Sequence, residues 1–167
     1  AIRRIDRVAS PRFGVVVKPV TAVSLYASYS VSFLPGSGDQ FSSLTTVTQQ
    51  VKPEKFTNYE VGAKWDVRRG LFLTAAVYRL DRTNTRATDP NDPTRIVQTG
   101  SQRSDGFELG IVGSITPKWT MSGGYAWQNA RITSATASAA AGRQVGQVPH
   151  NTFSLWNKYA ITGKLSA

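Results

Sequence analysis

Every second joint in this chain is short. Segments in which apolar and polar residues alternate are separated by about five residues at 18–22, about twenty at 34–53 and about four at 67–70. The rhythm continues with about a dozen at 84–95, about five at 114–118, about nineteen at 130–148 and about five at 160–164. Antiparallel strands that turn tightly at one end and loop widely at the other describe an outer-membrane β-barrel. A soluble sandwich has no physical reason to keep its long loops on one side.

The alternation itself predicts the strands. In the clearest segment Val23, Leu25, Ala27, Tyr29, Val31 and Phe33 fall on one face, and Ser24, Tyr26, Ser28, Ser30 and Ser32 on the other. Such a pair of faces suits hydrocarbon on one side and water on the other. Further strands are predicted over 12–17, 59–66, 71–81, 106–111, 119–128 and 151–159, with an eighth beginning near Leu165. Lys18-Pro19 is expected to open the first turn, since proline removes a ladder hydrogen bond. Strand 71–81 has two apolar faces; Phe72, Ala76, Tyr78 and Leu80 are taken as lipid-facing, against Leu71, Leu73, Ala75 and Val77. Asp89-Pro90-Asn91-Asp92-Pro93 reads as loop chemistry, and the Ala/Ser/Thr/Gly-rich run 132–146 as a mobile loop.

Aromatic placement separates a membrane barrel from a soluble sheet. Trp65, Phe72, Trp119 and Tyr159 lie toward the short turns, and Tyr29, Phe33, Tyr59, Tyr125 and Trp127 toward the long loops. Two bands are expected where hydrocarbon meets headgroups, because Trp and Tyr rings settle there. Packing in a sandwich core predicts no such bands. No apolar run is long enough for a membrane-spanning helix, which leaves strand crossings untouched. Zero cysteines exclude disulfides and thiolate metal sites.

The net charge of +10, from 20 Lys+Arg against 10 Asp+Glu, favours anionic partners. Its arginines are scattered, and the aromatics are not interleaved with them on a platform, so nucleic acid is not an expected partner. Chemistry-bearing constellations are missing. His150 stands beside Pro149 without clustered ligands, the Asp89/Asp92 pair sits among turn residues, and no phosphate loop or catalytic triad order occurs. The chain is not expected to be an enzyme or to hold a cofactor.

Several stretches resemble one family. Pro53-Glu54-Lys55-Phe56-Thr57-Asn58-Tyr59-Glu60-Val61-Gly62-Ala63-Lys64 is similar to a strand of TonB-dependent siderophore receptors. So are Ser10-Pro11-Arg12-Phe13-Gly14, Leu25-Tyr26-Ala27-Ser28-Tyr29-Ser30, Gly106-Phe107-Glu108-Leu109 and 148–156, in the right order. Tyr78–Asp89 looks most like the catecholate-type branch. The resemblance implies an all-β, antiparallel barrel of about 22 strands in the Gram-negative outer membrane, with an N-terminal plug domain. It implies import of ferric siderophores, iron arriving only as part of that ligand, energised by a TonB complex that grips a box near the N-terminus.

Residues 1–167 would be roughly a third of such a barrel, and seven or eight strands of a wide barrel form a curved open sheet rather than a small closed one. Plug, TonB box, terminal strands and a signal peptide are expected outside this stretch, as 1–20 carries no apolar signal core. The implied ligand contacts, by position in the outer loops, are Arg82, Arg86, Arg95, Arg103 and Arg131, with Phe41 and Gln102 nearby. Glu60, Lys64, Asp66 and Glu108 would face the lumen and the plug. Outer-membrane lipid and lipopolysaccharide are the remaining expected partners. Two alternatives stay open: a passive porin or structural outer-membrane barrel, and a soluble β-sandwich binding module.

Overall fold

In the computed structural model of the protein, residues 5–35, 52–89, 92–134, 140–163 and 165–166 are described, with side chains outside 86–99. Seven strands follow one another as a meander: β1 (Arg12–Val20), β2 (Val23–Leu34), β3 (Glu54–Arg68), β4 (Leu71–Asp89), β5 (Asp92–Thr116), β6 (Trp119–Ile132) and β7 (Asn151–Tyr159). Each pairs antiparallel with its sequence neighbour in the order β1-β2-β3-β4-β5-β6-β7. No ladder joins β1 to β7 among the described residues, so the sheet is open. After β7 the chain reverses, with Ile161 N–H donating to the Leu165 carbonyl (2.9 Å) and Ala160 bridged to Ser166.

The sheet is one layer. Among the described residues the buried apolar side chains are Val31, Leu71 and Ala130, too few for a core. Large apolar groups instead lie open along one face: Phe153 is 69% exposed, Val61 57% and Leu109 50%. A sandwich would have sealed these against a second sheet. The soluble sandwich is therefore not this fold, and a face so apolar and so open requires hydrocarbon against it.

Register keeps the two faces separate from strand to strand. Leu25, Ala63, Ala75, Leu109, Tyr125 and Phe153 form one continuous row, and Ala27, Val61, Val77, Phe107 and Trp127 the next. Opposite them Ser28, Glu60 and Tyr78, and Ser24, Lys64 and Thr74, form rows of the polar face. A slip of one residue would turn every side chain over.

Strand β4 lies the other way up from the sequence expectation. Leu73, Ala75 and Val77 continue the apolar rows of β3 and β5, while Phe72, Thr74, Ala76, Tyr78, Leu80 and Arg82 belong to the polar face. Phe72 thus leaves the expected aromatic band. Both β4 faces are apolar near the turn, so composition there carries no orientation; its neighbours decide. Trp65, Trp119 and Tyr159 remain at the short-turn end of the apolar face, and Tyr29, Tyr59, Tyr125 and Trp127 toward the other end. Tyr29 packs on Phe13 and Tyr59, and Phe107 on Tyr125 and Trp127, with ring centroids 5.1–6.3 Å apart. Phe33 stands beyond them, paired with Lys55.

Three joints are two-residue turns: Thr21-Ala22, Arg69-Gly70 and Pro117-Lys118. β1 runs through Pro19 to Val20, with a register shift after Val17 that accommodates the proline. Within the expected loop at 84–95 the described residues pair instead, Arg86 with Gln98 and Asp89 with Asp92, across register shifts around Thr85 and after Thr88. Asp92–Thr116 spans 25 residues, about 80 Å of strand, well beyond an apolar band about 25 Å tall. Period-2 alternation fails there because both faces are wet. Part of the expected mobile loop also pairs: Val145 N–H donates to the Ala130 carbonyl, Ile132 N–H to the Arg143 carbonyl, and Gln144 bridges to Arg131.

Candidate functional site

The polar face is built from strands that place small residues opposite large ones. Tyr26 of β2 pairs with Gly62 of β3, and its ring lies over the glycine, where a Cβ would stand 2.5 Å from the ring. Tyr78 of β4 covers Gly106 of β5 in the same way, at 2.6 Å. Only glycine leaves room for a ring lying flat on the neighbouring strand. Each hydroxyl is thereby aimed along the sheet. Tyr26 Oη donates to Glu60 Oε1 at 2.5 Å, and Lys64 Nζ sits 5.7 Å from the Tyr26 ring centroid. Tyr78 Oη and Ser104 Oγ both donate to Gln128 Oε1 at 3.4 Å.

Toward the long-hairpin end this face closes around one carboxylate. Glu54 is 3% exposed and accepts from Arg82 Nε (2.9 Å) and Nη2 (2.6 Å) on a single oxygen, Oε2. The Arg82 guanidinium lies 5.4 Å from the Phe56 ring centroid. Nearby, Asn84 adopts a positive φ of 59° and its Nδ2 donates to the Pro53 carbonyl at 3.0 Å. Thr85 Oγ1 donates to the Gly100 carbonyl at 3.2 Å, where a register shift bends the hairpin. The result is a guanidinium held over an aromatic ring at the upper rim of a polar wall. With its charge partly balanced by Glu54, such an arrangement can offer a large ligand guanidinium donors and a flat surface.

The expected site residues separate by face. Arg82 and Gln102 lie on the polar face, opposite one another. Glu60, Lys64 and Glu108 are on it too, and Asp66, paired with Phe72, at its short-turn end. Arg103 and Arg131 are on the apolar side, directly paired with each other across β5 and β6. Arg86 and Arg95 belong to β4 and β5, with side chains outside those described, and Phe41 lies outside the described residues. His150 Nδ1 is 2.9 Å from the Gln128 carbonyl at the strand entrance, which is a structural contact. Among the described residues no group of three or more His, Cys, Asp or Glu side chains is placed to hold a metal ion.

Sequence reasoning missed three members of this surface. Glu54 falls between the expected loop 34–53 and the expected strand 59–66, where no alternation marks it as part of a wall. Tyr26 carries a usable signal, an aromatic in polar register with a glycine on the next strand; Tyr78 carries none, because only pairing with β3 and β5 sets it on the polar face.

Comparison with known proteins agrees with this geometry. A family model described as "TonB dependent receptor-like, beta-barrel" matches residues 2–166. The probable TonB-dependent siderophore receptor PiuA of Acinetobacter baumannii is 34% identical over 92% of the chain, which spans 22% of that receptor. The crystal structure of PiuA matches with a TM-score of 0.75 at 33% identity, covering 93% of this chain and 24% of that one. The closed form of the ferric-catecholate import receptor Fiu from Escherichia coli K12 gives 0.77 at 29% identity, covering 93% and 23%. The chain therefore spans about a fifth to a quarter of the length of these relatives, and its seven strands are a run of their barrel wall. On the match over 2–166, the chain belongs to the TonB-dependent receptor β-barrel family.

Proposed function

We propose that this chain is part of the barrel of an outer-membrane receptor that captures ferric siderophores and imports them by TonB-energised transport. The observation that carries the reading is the 34% identity, over nearly the whole chain, to a receptor named for siderophores. In a barrel of this family the apolar face meets lipid and the polar face lines the lumen. Arg82 over Phe56, at the lumen's outer rim, supports capture of a bulky anionic chelate. Arg86 and Arg95, further out on the two arms of the β4–β5 hairpin, remain candidate ligand contacts by position along the chain. Glu60, Lys64, Asp66 and Glu108 lower down are proposed to meet the plug domain through water and hydrogen bonds. Iron enters only inside its chelate, so the reading calls for no resident cofactor. Catecholates are the first class to test, because Fiu is a ferric-catecholate receptor.

The test is iron-limited growth of a host stripped of its own ferric-siderophore receptors and supplied with the full-length receptor. Growth on at least one ferric chelate, lost when TonB is deleted, is the expected result. Uptake that persists without TonB would instead make this a passive barrel. The Arg82→Ala variant is expected to need about tenfold more chelate for half-maximal growth, the loss of one charge-assisted hydrogen bond of about 1.5 kcal/mol.

A further inference from the structure

Near the long-hairpin end the polar face is almost without charge. Two register rows cross five strands there. Ser32, Phe56, Arg82, Gln102 and Ile132 form the upper row, and Ser30, Asn58, Leu80, Ser104 and Ala130 the lower. Arg82 is the only charged residue in either row. The chain as a whole carries a net +10, so composition alone does not make this stretch of wall neutral.

Glu54 removes that one charge and fixes the direction of what remains. It stands on β3 two residues from Phe56, the direct partner of Arg82, and its Oε2 accepts from both Nε and Nη2. Those two nitrogens form one edge of the planar guanidinium group. The other edge, Nη1 with the second Nη2 hydrogen, therefore points away from the carboxylate. The Phe56 ring, 5.4 Å from the guanidinium carbon, supports the plane from one side. Arg82 keeps 39% of its side chain exposed against 4% for Glu54. The acid is thus inside the wall and the outward edge is at its surface.

Two consequences follow for a ligand. Two parallel N–H donors in one plane match two neighbouring oxygen atoms at the edge of a flat group. A charge approaching from the lumen meets both members of the ion pair, so the attraction of the guanidinium is largely offset by the carboxylate behind it. Ser30, Asn58, Gln102 and Ser104 add only neutral hydrogen-bonding groups around this fork.

We propose that Glu54 is a positioning residue that sets what this rim selects. It turns the Arg82 fork toward the lumen and cancels its charge. A chelate is then chosen for paired oxygen atoms at the edge of a flat group rather than for how much negative charge it carries. The inference rests on the reading of this chain as part of a ferric-chelate receptor and adds the basis of selection.

The experiment measures the affinity of the full-length receptor in detergent for two iron chelates by quenching of its tryptophan fluorescence. A ferric tris-catecholate carries three negative charges, and a ferric tris-hydroxamate carries none. Both are titrated at about 50 mM and about 500 mM NaCl, to separate weak from strong screening. In the wild type the preference between them is expected to change less than about twofold with salt. Glu54→Gln keeps the shape of the side chain and uncovers the Arg82 charge. It is expected to raise the preference for the tris-catecholate about tenfold at low salt, most of which is lost at high salt. Glu54→Gln/Arg82→Gln, neutral again, is expected to return the preference to within about twofold of wild type while binding both chelates more weakly. Heat-modifiable mobility checks that each variant is folded.

A merely structural Glu54 would weaken both chelates alike. An unchanged preference in folded Glu54→Gln, or a raised one that survives in the double variant, therefore overturns the inference and leaves the transport reading standing. So does a wild-type preference that changes more than about tenfold with salt, a result that needs no variant to fold. A folded wild type that binds neither chelate overturns both.

Discussion

Consecutive residues on one strand offer the sharpest test of which face meets lipid. Leu109 and Glu108 share the middle of β5, and the pleat points them to opposite sides. Leu109 is 50% exposed on the apolar face, two residues inside the Phe107–Trp127 row. An arginine there must carry its charge into hydrocarbon, which costs about 2–4 kcal/mol at the midplane of a membrane barrel and less toward the interfaces. Leu109 lies between these depths, so Leu109→Arg is expected to cost about 2 kcal/mol, roughly a thirtyfold fall in the folding equilibrium. Glu108→Arg turns toward a wet lumen and is expected to cost less than about 0.5 kcal/mol. The assay is urea titration of the full-length receptor refolded into bilayers, with the folded fraction read from heat-modifiable electrophoretic mobility. Equal costs, or a larger cost for Glu108→Arg, would refute the assignment of the faces and with it the membrane argument.

Three further outcomes follow from the local geometry. Gly113 has φ of +134° and a Cβ there would stand 2.0 Å from the Gly70 carbonyl oxygen, so Gly113→Ala is expected to lower stability by about 2–3 kcal/mol. Gly70→Ala, at φ +80° in open space, should cost only about 1 kcal/mol; the reverse order in urea midpoints would sink this account. Tyr26→Phe removes the 2.5 Å bond to Glu60 but keeps the ring over Gly62, so about 1 kcal/mol is expected, and Tyr26→Ala should cost clearly more in the same titration. Arg82→Met takes two hydrogen bonds from the nearly buried Glu54. With Arg82 itself 39% exposed, about 1–2 kcal/mol is expected, and a double-mutant cycle with Glu54→Gln should show coupling between the two sites; additive costs would contradict the pairing.

How much of this was legible depended on where the chain meets lipid. From Val23 to Phe33 one side is greasy and the other wet, so the contrast writes itself into the sequence with period 2. The same holds for Tyr59–Trp65 and Trp119–Trp127, and the faces of those strands are as the alternation implies. Beyond the aromatic rows both sides of β4 and β5 are in water, the contrast vanishes, and the stretch 84–95 reads as loop although its described residues pair as ladder. Strand β4 failed for the opposite reason. Leu71, Phe72 and Leu73 are apolar on both sides, and only pairing with β3 and β5 fixes which side is which. The site divided likewise. Arg82 and Arg103 look alike in sequence, an arginine near an aspartate in each case, yet the pleat sends them to opposite surfaces because they belong to strands whose register composition alone could not supply.

The tyrosine-capped glycines have a mechanical consequence for the distant hairpin. Outside the bilayer, the two sides of β4 and β5 lack the greasy-against-wet difference that selects an alignment lower down, leaving local contacts such as Thr85 with Gly100. Much of the alignment is therefore inherited from below, where Tyr78 fits only against the bare backbone of Gly106. An error of two residues at that anchor would travel undiminished up both arms and displace Arg86 relative to Arg95 by about 7 Å. The pair acts as a vernier: a lock set deep in the wall fixes how two arms reaching into the surroundings are matched to each other.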